Sequence, residues 1–435
     1  MRFKIHRGAN EIGGTRVEVW TDSARIVIDI GMPLVNPDRT PFDARETEKC
    51  SDAELIRDGI LPDIPSLYQD GSKTALIISH AHQDHYGLMN RINPSCPVWL
   101  GFSTQILIEL TNTFTGKEWT VKNAHHFKHG EKFKAGNIAI TPYQMDHAAF
   151  DAYAFLIEAE GKALFYSGDF RTHGRKARLF DIKADVDYLL LEGSTIDRTE
   201  KPFPTESELE EDFVNTFRET KGINLVYVSG QNIDRLVTIY RACKRTSKLF
   251  LVDFYIANVL KTLNKRGKNT TIPFPSRQAF PDIKVYYPSS LTGRMKKLGL
   301  SAETIYPFMA QKFGKDKINE WASNLVMVVR PSVQRDLECY LHDYSQGCFI
   351  YSMWEGYKDK PGQVKDFLDF IAGKGMPIKD IHTSGHADLQ GLRRMATAVK
   401  PKYIVPIHTF AADKYEEHFP DVKIRRAKDG ETVEM

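Results

Sequence analysis

The stretch Ser79-His80-Ala81-His82-Gln83-Asp84-His85-Tyr86-Gly87 places four metal-competent side chains within six positions, directly after the apolar run Ala75–Ile78. Imidazole suits zinc and its neighbours, and carboxylate suits harder cations. A His-x-His pair leaving a strand can close on one ion, while Asp84 and His85 at the next turn can face a second. Two such ions close together generate hydroxide near neutral pH and clamp a phosphodiester from two sides. A single histidine here would read as part of a solvated loop, but three histidines and an aspartate so closely packed do not. The chemistry expected is hydrolysis.

The strands that must position these groups have counterparts elsewhere in the chain. The runs Ile26–Ile30, Asn137–Met145, Lys162–Tyr166 and Tyr403–Ile407 each carry or precede a group of the same kind: Asp29, Asp146-His147, Ser167-Gly168-Asp169 and His408. The HxHxDH pattern is the signature of the metallo-β-lactamase fold, and these groups, in chain order, resemble that family's remaining elements. The resemblance implies that one metal takes His80, His82 and His147. A second takes Asp84, His85 and His408, with Asp169 shared between the two and Asp29 propping the first loop from behind.

From Asp169 to His408 is 239 residues, far more than two strands of one sheet need. A structureless loop of that length is implausible, so a whole domain is expected between two ligands. This arrangement resembles the β-CASP branch of the superfamily, the nucleic-acid-processing nucleases. Glu192, in Leu189-Leu190-Leu191-Glu192-Gly193-Ser194-Thr195, resembles that branch's first acidic motif. His386, in Thr383-Ser384-Gly385-His386-Ala387-Asp388, resembles its second, and His408, in Val405-Pro406-Ile407-His408, its third. The stretch from Ile381 to His408 looks most like ribonuclease J and related enzymes. RNA-directed members carry histidine at the third landmark, where the DNA-directed group carries valine, so His408 favours RNA.

The fold implied is α/β: a four-layer αββα metallo-β-lactamase fold, residues 1–198 and 351–435, interrupted by a β-CASP domain at 199–350 with a mainly parallel sheet. Alternating strands and helices support that sheet: strands Leu225–Val228, Leu249–Phe254, Leu325–Val329 and Cys348–Tyr351, with helices at 232–243 and 256–265. Thr205-Glu206-Ser207-Glu208 is a capping box opening a helix over 205–220. No GxGxxG follows the first of these strands, so a nucleotide cofactor has no support. Hairpins are expected within residues 1–30, at 155–166 and around Lys428–Glu431, with a helix at 103–113, a strand at 380–383, a helix at 388–399 and a strand at 403–407. The chain ends soon after His408, so the extra C-terminal domain of ribonuclease J enzymes is expected to be missing.

Composition is that of a soluble globular protein: 435 residues, 42% hydrophobic and 26% charged. No apolar run is long enough to span a membrane, and Met1-Arg2-Phe3-Lys4-Ile5-His6 begins as a strand rather than a signal peptide. Five scattered cysteines without a CxxC read as reduced thiols of a cytoplasmic protein. The net charge of +3 is modest, but between Lys244 and Lys297 twelve Lys or Arg face only Asp253 and Asp282. Such residues neutralise phosphates, which makes Lys265, Arg266 and Lys296 candidates for an RNA backbone. Arg171, Arg175 and Lys176 follow Asp169 and are further candidates, as are Ser384 and Gly385 beside His386. Single-stranded RNA is the expected partner, and a homo-oligomer is compatible with the sequence.

Within this scheme Asp84 or Asp169 would orient the nucleophile. His386 would protonate the leaving oxygen or bind the phosphate, and Glu192 would fix a neighbouring histidine. The cofactors expected are two divalent ions, zinc first and manganese as the alternative. Rival readings are a DNA nuclease of the same branch, a small-molecule ester or thioester hydrolase, and a catalytically silent RNA-binding partner. His125, His126 and His129 read as a surface turn, and Asp151 and Asp388 as orienting groups. The run Tyr351–Tyr357 suits either base stacking or an aromatic core.

Overall fold

Burial patterning separates two kinds of strand in the computed structural model, which describes residues 1–198, 201–268 and 271–435. Arg2–Arg7 buries every second residue, as a strand with one covered face does. Ala75–Ile78 is buried throughout, as a strand covered on both faces must be. Both belong to a seven-stranded sheet in the order Thr432–Glu434, Arg2–Arg7, Arg16–Trp20, Arg25–Ile28, Ala75–Ile78, Val98–Leu100, Ala124–His126. A second seven-stranded sheet runs Lys423–Ile424, Pro401–Ile407, Val186–Glu192, Lys162–Tyr166, Ala152–Ala159, Ile138–Met145, Phe133–Ala135. The inner faces meet in one core, with Phe3, Ile5, Val17 and Ile77 among the contributions of the first sheet and Ile140, Phe155, Tyr166 and Ile407 among those of the second. The other face of the second sheet packs Leu189 and Leu191 against Leu392, Met395 and Val399 of helix Leu389–Val399. Each such side chain contributes roughly 1.5–3 kcal/mol on burial.

The chain divides into two compact units. One comprises Met1–Asn112, Glu118–Phe203 and Gly385–Met435; the other comprises Thr113–Lys117 and Pro204–Ser384. The sequence reading places its breaks at 198/199 and 350/351, the first of them beside residues 199–200, which lie outside the described residues. The second unit holds a six-stranded sheet, in the order Ile283–Tyr286, Leu249–Asp253, Leu325–Val329, Asn224–Tyr227, Cys348–Tyr351, Ile378–Asp380. Every pairing in it is parallel. Helix Glu206–Glu219 opens on the expected capping box, with Thr205 and Glu208 each satisfying a backbone N–H of the other. Arg235 and Glu206 form a fully buried ion pair at 3.1 Å, and the Thr238 hydroxyl donates to the same carboxylate.

The architecture is the expected mixed α/β arrangement, with local corrections. Lys428–Glu431 does not close a hairpin. Thr432–Glu434 pairs with the first strand and Lys423–Ile424 with Pro401–Ile407, so the turn passes the chain from one sheet to the other. The strand expected at 380–383 is Ile378–Asp380 and pairs with Cys348–Tyr351 in the six-stranded sheet. His125 and His126 lie in the edge strand Ala124–His126, not in a turn, and His125 stacks on Trp99 at 4.8 Å. Among the described residues no helix is long and apolar enough to cross a membrane.

Candidate metal centre

The centre forms where strands of both large sheets end. Ala75–Ile78 delivers Ser79 and His80, and the short helix Gln83–Tyr86 that follows carries Asp84 and His85. Asp146-His147 follows Ile138–Met145, Asp169 follows Lys162–Tyr166, Glu192 closes Val186–Glu192, and His408 follows Pro401–Ile407. Gly168 has φ +52°, and a Cβ there would lie 2.6 Å from the Tyr153 carbonyl oxygen, so glycine alone permits the turn that aims Asp169. Asp29 and His408 also adopt left-handed conformations, φ 61° and 54°, which residues with side chains seldom do.

Asp29 is completely buried, and its carboxylate organises the first loop. It accepts hydrogen bonds from Ser79 N (2.7 Å), Ser79 Oγ (2.8 Å), His85 Nδ1 (2.8 Å) and Tyr166 OH (2.8 Å). Ser79 Oγ in turn lies 3.0 Å from His80 Nδ1. With Ser79 donating to Asp29, His80 Nδ1–H donates to Ser79, and His85 Nδ1–H donates to Asp29. In the neutral form both rings turn a bare Nε2 toward the centre, and neither buried nitrogen makes a hydrogen bond of good geometry, His85 Nε2 lying 3.2 Å from the Asp169 carboxylate. Anchoring one ring nitrogen so that the other faces a cation is what carboxylates behind metal ligands do. His147 follows the same pattern, with Nδ1–H donating to the Gly385 carbonyl at 2.6 Å and Nε2 facing His82 Nδ1 at 3.3 Å.

Asp169 lies at the middle. Its carboxylate is within 3.9 Å of His80 Nε2, 3.2 Å of His85 Nε2, 3.8 Å of His386 Nδ1 and 3.7 Å of His408 Nδ1. His408 Nδ1 contacts Ser194 Oγ at 2.8 Å, and its Nε2 lies 3.4 Å from Asp84. Three groups of donor atoms each converge to within 4.8 Å: His80, His82 and His147; Asp84, His85, Asp169 and His408; and Asp169, Glu192, His386 and His408. The donor set, imidazole with carboxylate and two orphaned buried nitrogens, fits divalent cations.

Charge follows from this packing. Burial, reinforced by neighbouring histidines, holds the pKa of His80 and His147 well below the ordinary imidazole value, so both stay neutral. For His85 burial acts in the same direction, but Asp169, Asp29 and Asp84 outweigh it and raise the pKa well above normal. His386 likewise resists burial, and Glu192 and Asp169 push it up to about 9. Glu192, 1% exposed, lies 3.3 Å from His386 Nδ1 and accepts from the backbone N–H of Ser194 at 3.1 Å and Ala387 at 3.4 Å. It ties the loop carrying His386 to that of Ser194, whose hydroxyl contacts His408.

The phosphate candidates differ in burial and belong to both units. Arg171 is fully buried and paired with Asp146 at 3.1 Å, which removes it from the surface where phosphate contact was expected. Lys176 sits beside the centre, its ammonium 3.3 Å from the His147 carbonyl, and Arg175 is half-buried. Lys265, Arg266 and Lys296 are exposed residues of the second unit, where Ser384 is half-buried; Gly385 supplies the carbonyl that orients His147. Asp151 and Asp388 act as expected, accepting from the first N–H groups of helices Phe102–Thr115 and Leu389–Val399. Ser79, Tyr166 and Ser194 escaped the sequence reading, since hydroxyl residues beside a motif carry no spacing of their own.

The chain matches a β-lactamase superfamily domain over residues 65–237 and a Zn-dependent metallo-hydrolase RNA specificity domain over residues 375–419. It is 22% identical to ribonuclease J of Helicobacter pylori, an alignment covering 92% of this chain and 55% of that protein. With ribonuclease J of Pyrococcus abyssi the identity is 23%, over 92% of this chain and 88% of that one. The chain thus spans about half the length of the first curated relatives it matches. A crystal structure of a protein of unknown function from Enterococcus faecalis V583 shares the fold, with a TM-score of 0.77, 22% identity and coverage of 99% of both chains. Together these matches support a β-CASP, ribonuclease J-like protein that carries a metallo-β-lactamase superfamily domain.

Proposed function

We propose that this protein is a metal-dependent ribonuclease that hydrolyses RNA phosphodiester bonds with two divalent cations, zinc first and manganese as the alternative. The observation that carries this reading is the Asp169 carboxylate with four histidines within 3.9 Å, two of them presenting buried nitrogens that make no hydrogen bond of good geometry. The proposed ligands are His80, His82 and His147 for one ion and Asp84, His85 and His408 for the other, with Asp169 shared. RNA as substrate is supported by the match to an RNA specificity domain, which spans His386 and His408.

When bound, the ions supply an activated water and stabilise charge on the phosphate. Asp84 and Asp169 orient the attacking water in line with phosphorus. His386, with 24% of its side chain exposed beside this cluster, is placed to donate a proton to the leaving oxygen. Glu192 keeps the His386 ring in position through Nδ1, and Lys176 at the rim meets a phosphate oxygen. The inserted domain in this reading is the second unit, whose main segment is Pro204–Ser384, and the protein works in the cytoplasm on single-stranded RNA, alone or as a homo-oligomer.

The test is cleavage of matched 5′-labelled RNA and DNA single strands by metal-loaded protein and by Asp84→Ala. RNA cut by the wild type and spared by the variant is the expected result, with the label separating mononucleotide release from internal fragments. Preferential cutting of DNA would move the protein to the DNA-directed group. Two metals bound with neither strand cut would overturn the nuclease reading in favour of a small ester.

A further inference from the structure

We propose that Trp354 and Tyr357 form a base-stacking platform for single-stranded RNA on the second unit, a reading that deepens the ribonuclease assignment and rests on it. The two rings follow strand Cys348–Tyr351, beyond the carboxyl end of a wholly parallel sheet, where open α/β sheets bind ligands. Tyr351 itself belongs to the core at 1% exposure and packs on Tyr227, so the aromatic run splits at this point. Trp354 and Tyr357 remain 38% and 43% exposed, which leaves part of each ring open to solvent.

They are nevertheless held in a built arrangement. The Tyr351 hydroxyl donates to the Trp354 carbonyl at 2.9 Å, and Tyr357 N donates to the same oxygen at 3.2 Å. A Cβ on Gly356 would lie 2.4 Å from the indole, so only glycine lets that ring rest across the turn. The two rings meet edge to face, 5.1 Å apart at 86°, and the Lys360 ammonium sits 5.4 and 5.8 Å from them. Two fixed, mutually perpendicular π-faces with an amine beside them suit a flipped-out base whose phosphate meets Lys360. Glu355 and Asp359 balance Lys358 and Lys360 in this loop, so the platform adds stacking rather than net positive charge. The share contributed by the two rings should therefore be insensitive to salt, unlike phosphate contacts of Lys360, Lys265, Arg266 and Lys296.

The experiment measures binding of a fluorescein-labelled, phosphorothioate-linked oligouridylate of about 20 nucleotides to the full-length protein. Trp354→Ala/Tyr357→Ala is compared with Trp354→Phe/Tyr357→Phe by fluorescence anisotropy at about 50 and about 200 mM salt. The alanine pair should weaken binding by about tenfold or more, by the same factor at both salts, while the phenylalanine pair stays within about threefold of wild type. Wild-type affinity in the alanine pair, or no binding by the wild type, would overturn the proposal. Hydrolysis of bis(p-nitrophenyl) phosphate reports separately on the metal centre and should be equal in all three proteins. Absence of that hydrolysis in the wild type would count against the ribonuclease reading and leave the binding comparison intact.

Discussion

Four buried acids of the second unit lie against a cation: Glu206 against Arg235, Asp253 against Arg330, Asp336 against Lys315, Glu210 against Arg241. In the first unit Asp84, Asp169 and Glu192 converge with histidines as their ion-pair partners, and Asp29 is met by Ser79, Tyr166 and His85. The arginine nearest this cluster, Arg171, is taken by Asp146. A buried acid with its own arginine is electrically finished, and breaking such a pair is destabilising. A cluster of acids faced by rings that can be neutral is unfinished, and its surplus negative charge is available to an exchangeable cation. The contrast teaches which burial serves the fold and which serves the chemistry.

Five substitutions would break or sharpen that contrast. His408→Ala should lose one metal equivalent by elemental analysis and lower RNA cleavage by at least about a thousandfold, because several kcal/mol of transition-state stabilisation goes with the ion. His386→Ala should keep wild-type metal content and reduce turnover by about 10²–10⁴-fold, the range of a lost acid catalyst; retained turnover would remove His386 from the mechanism. In the second unit, Glu206→Ala strands the Arg235 charge and should cost about 3–5 kcal/mol in denaturant unfolding, with metal content unaltered. Asp29→Asn should weaken metal affinity by about 10–100-fold in a chelator competition, since His85 and Ser79 lose their shared acceptor. Thr205→Ala should cost only about 1 kcal/mol, the value of one helix cap, and an effect on cleavage would contradict the separation drawn here.

His80, His147, Asp169, Glu192 and His408 stood out in the sequence because each closes or closely follows a strand, whereas Asp84, His85 and His386 stood out by residue type and motif alone. Their supporting hydroxyls did not: Ser194 behind His408 and Ser79 behind His80 are recognisable only once the backbone is folded. Arg171 misled in the opposite direction. A basic run after Asp169 reads as phosphate-binding until the isolated bridge between Asp146 and Arg171 pulls that guanidinium inside. Asp146, the acid next to His147, was the signal available, since a carboxylate beside a candidate ligand needs a partner. Local signals served the fold well where pairing is local, as in the hairpin of Ala152–Ala159 and Lys162–Tyr166. They failed at Lys428–Glu431, where the Gly430 N–H donates to the Ile5 carbonyl at 2.8 Å, a partner more than four hundred residues away. Turn chemistry specifies a reversal without specifying which strand receives the chain.

That distant closure sets an order in time. During synthesis Asp169 emerges 239 residues ahead of His408, a lag on the order of tens of seconds at about 5–20 residues per second. Until that lag ends the second sheet lacks a complete Pro401–Ile407, the first strand lacks Thr432–Glu434, and the centre lacks His408. A nascent chain therefore carries an incomplete candidate centre until Pro401–Ile407 and His408 have both been made.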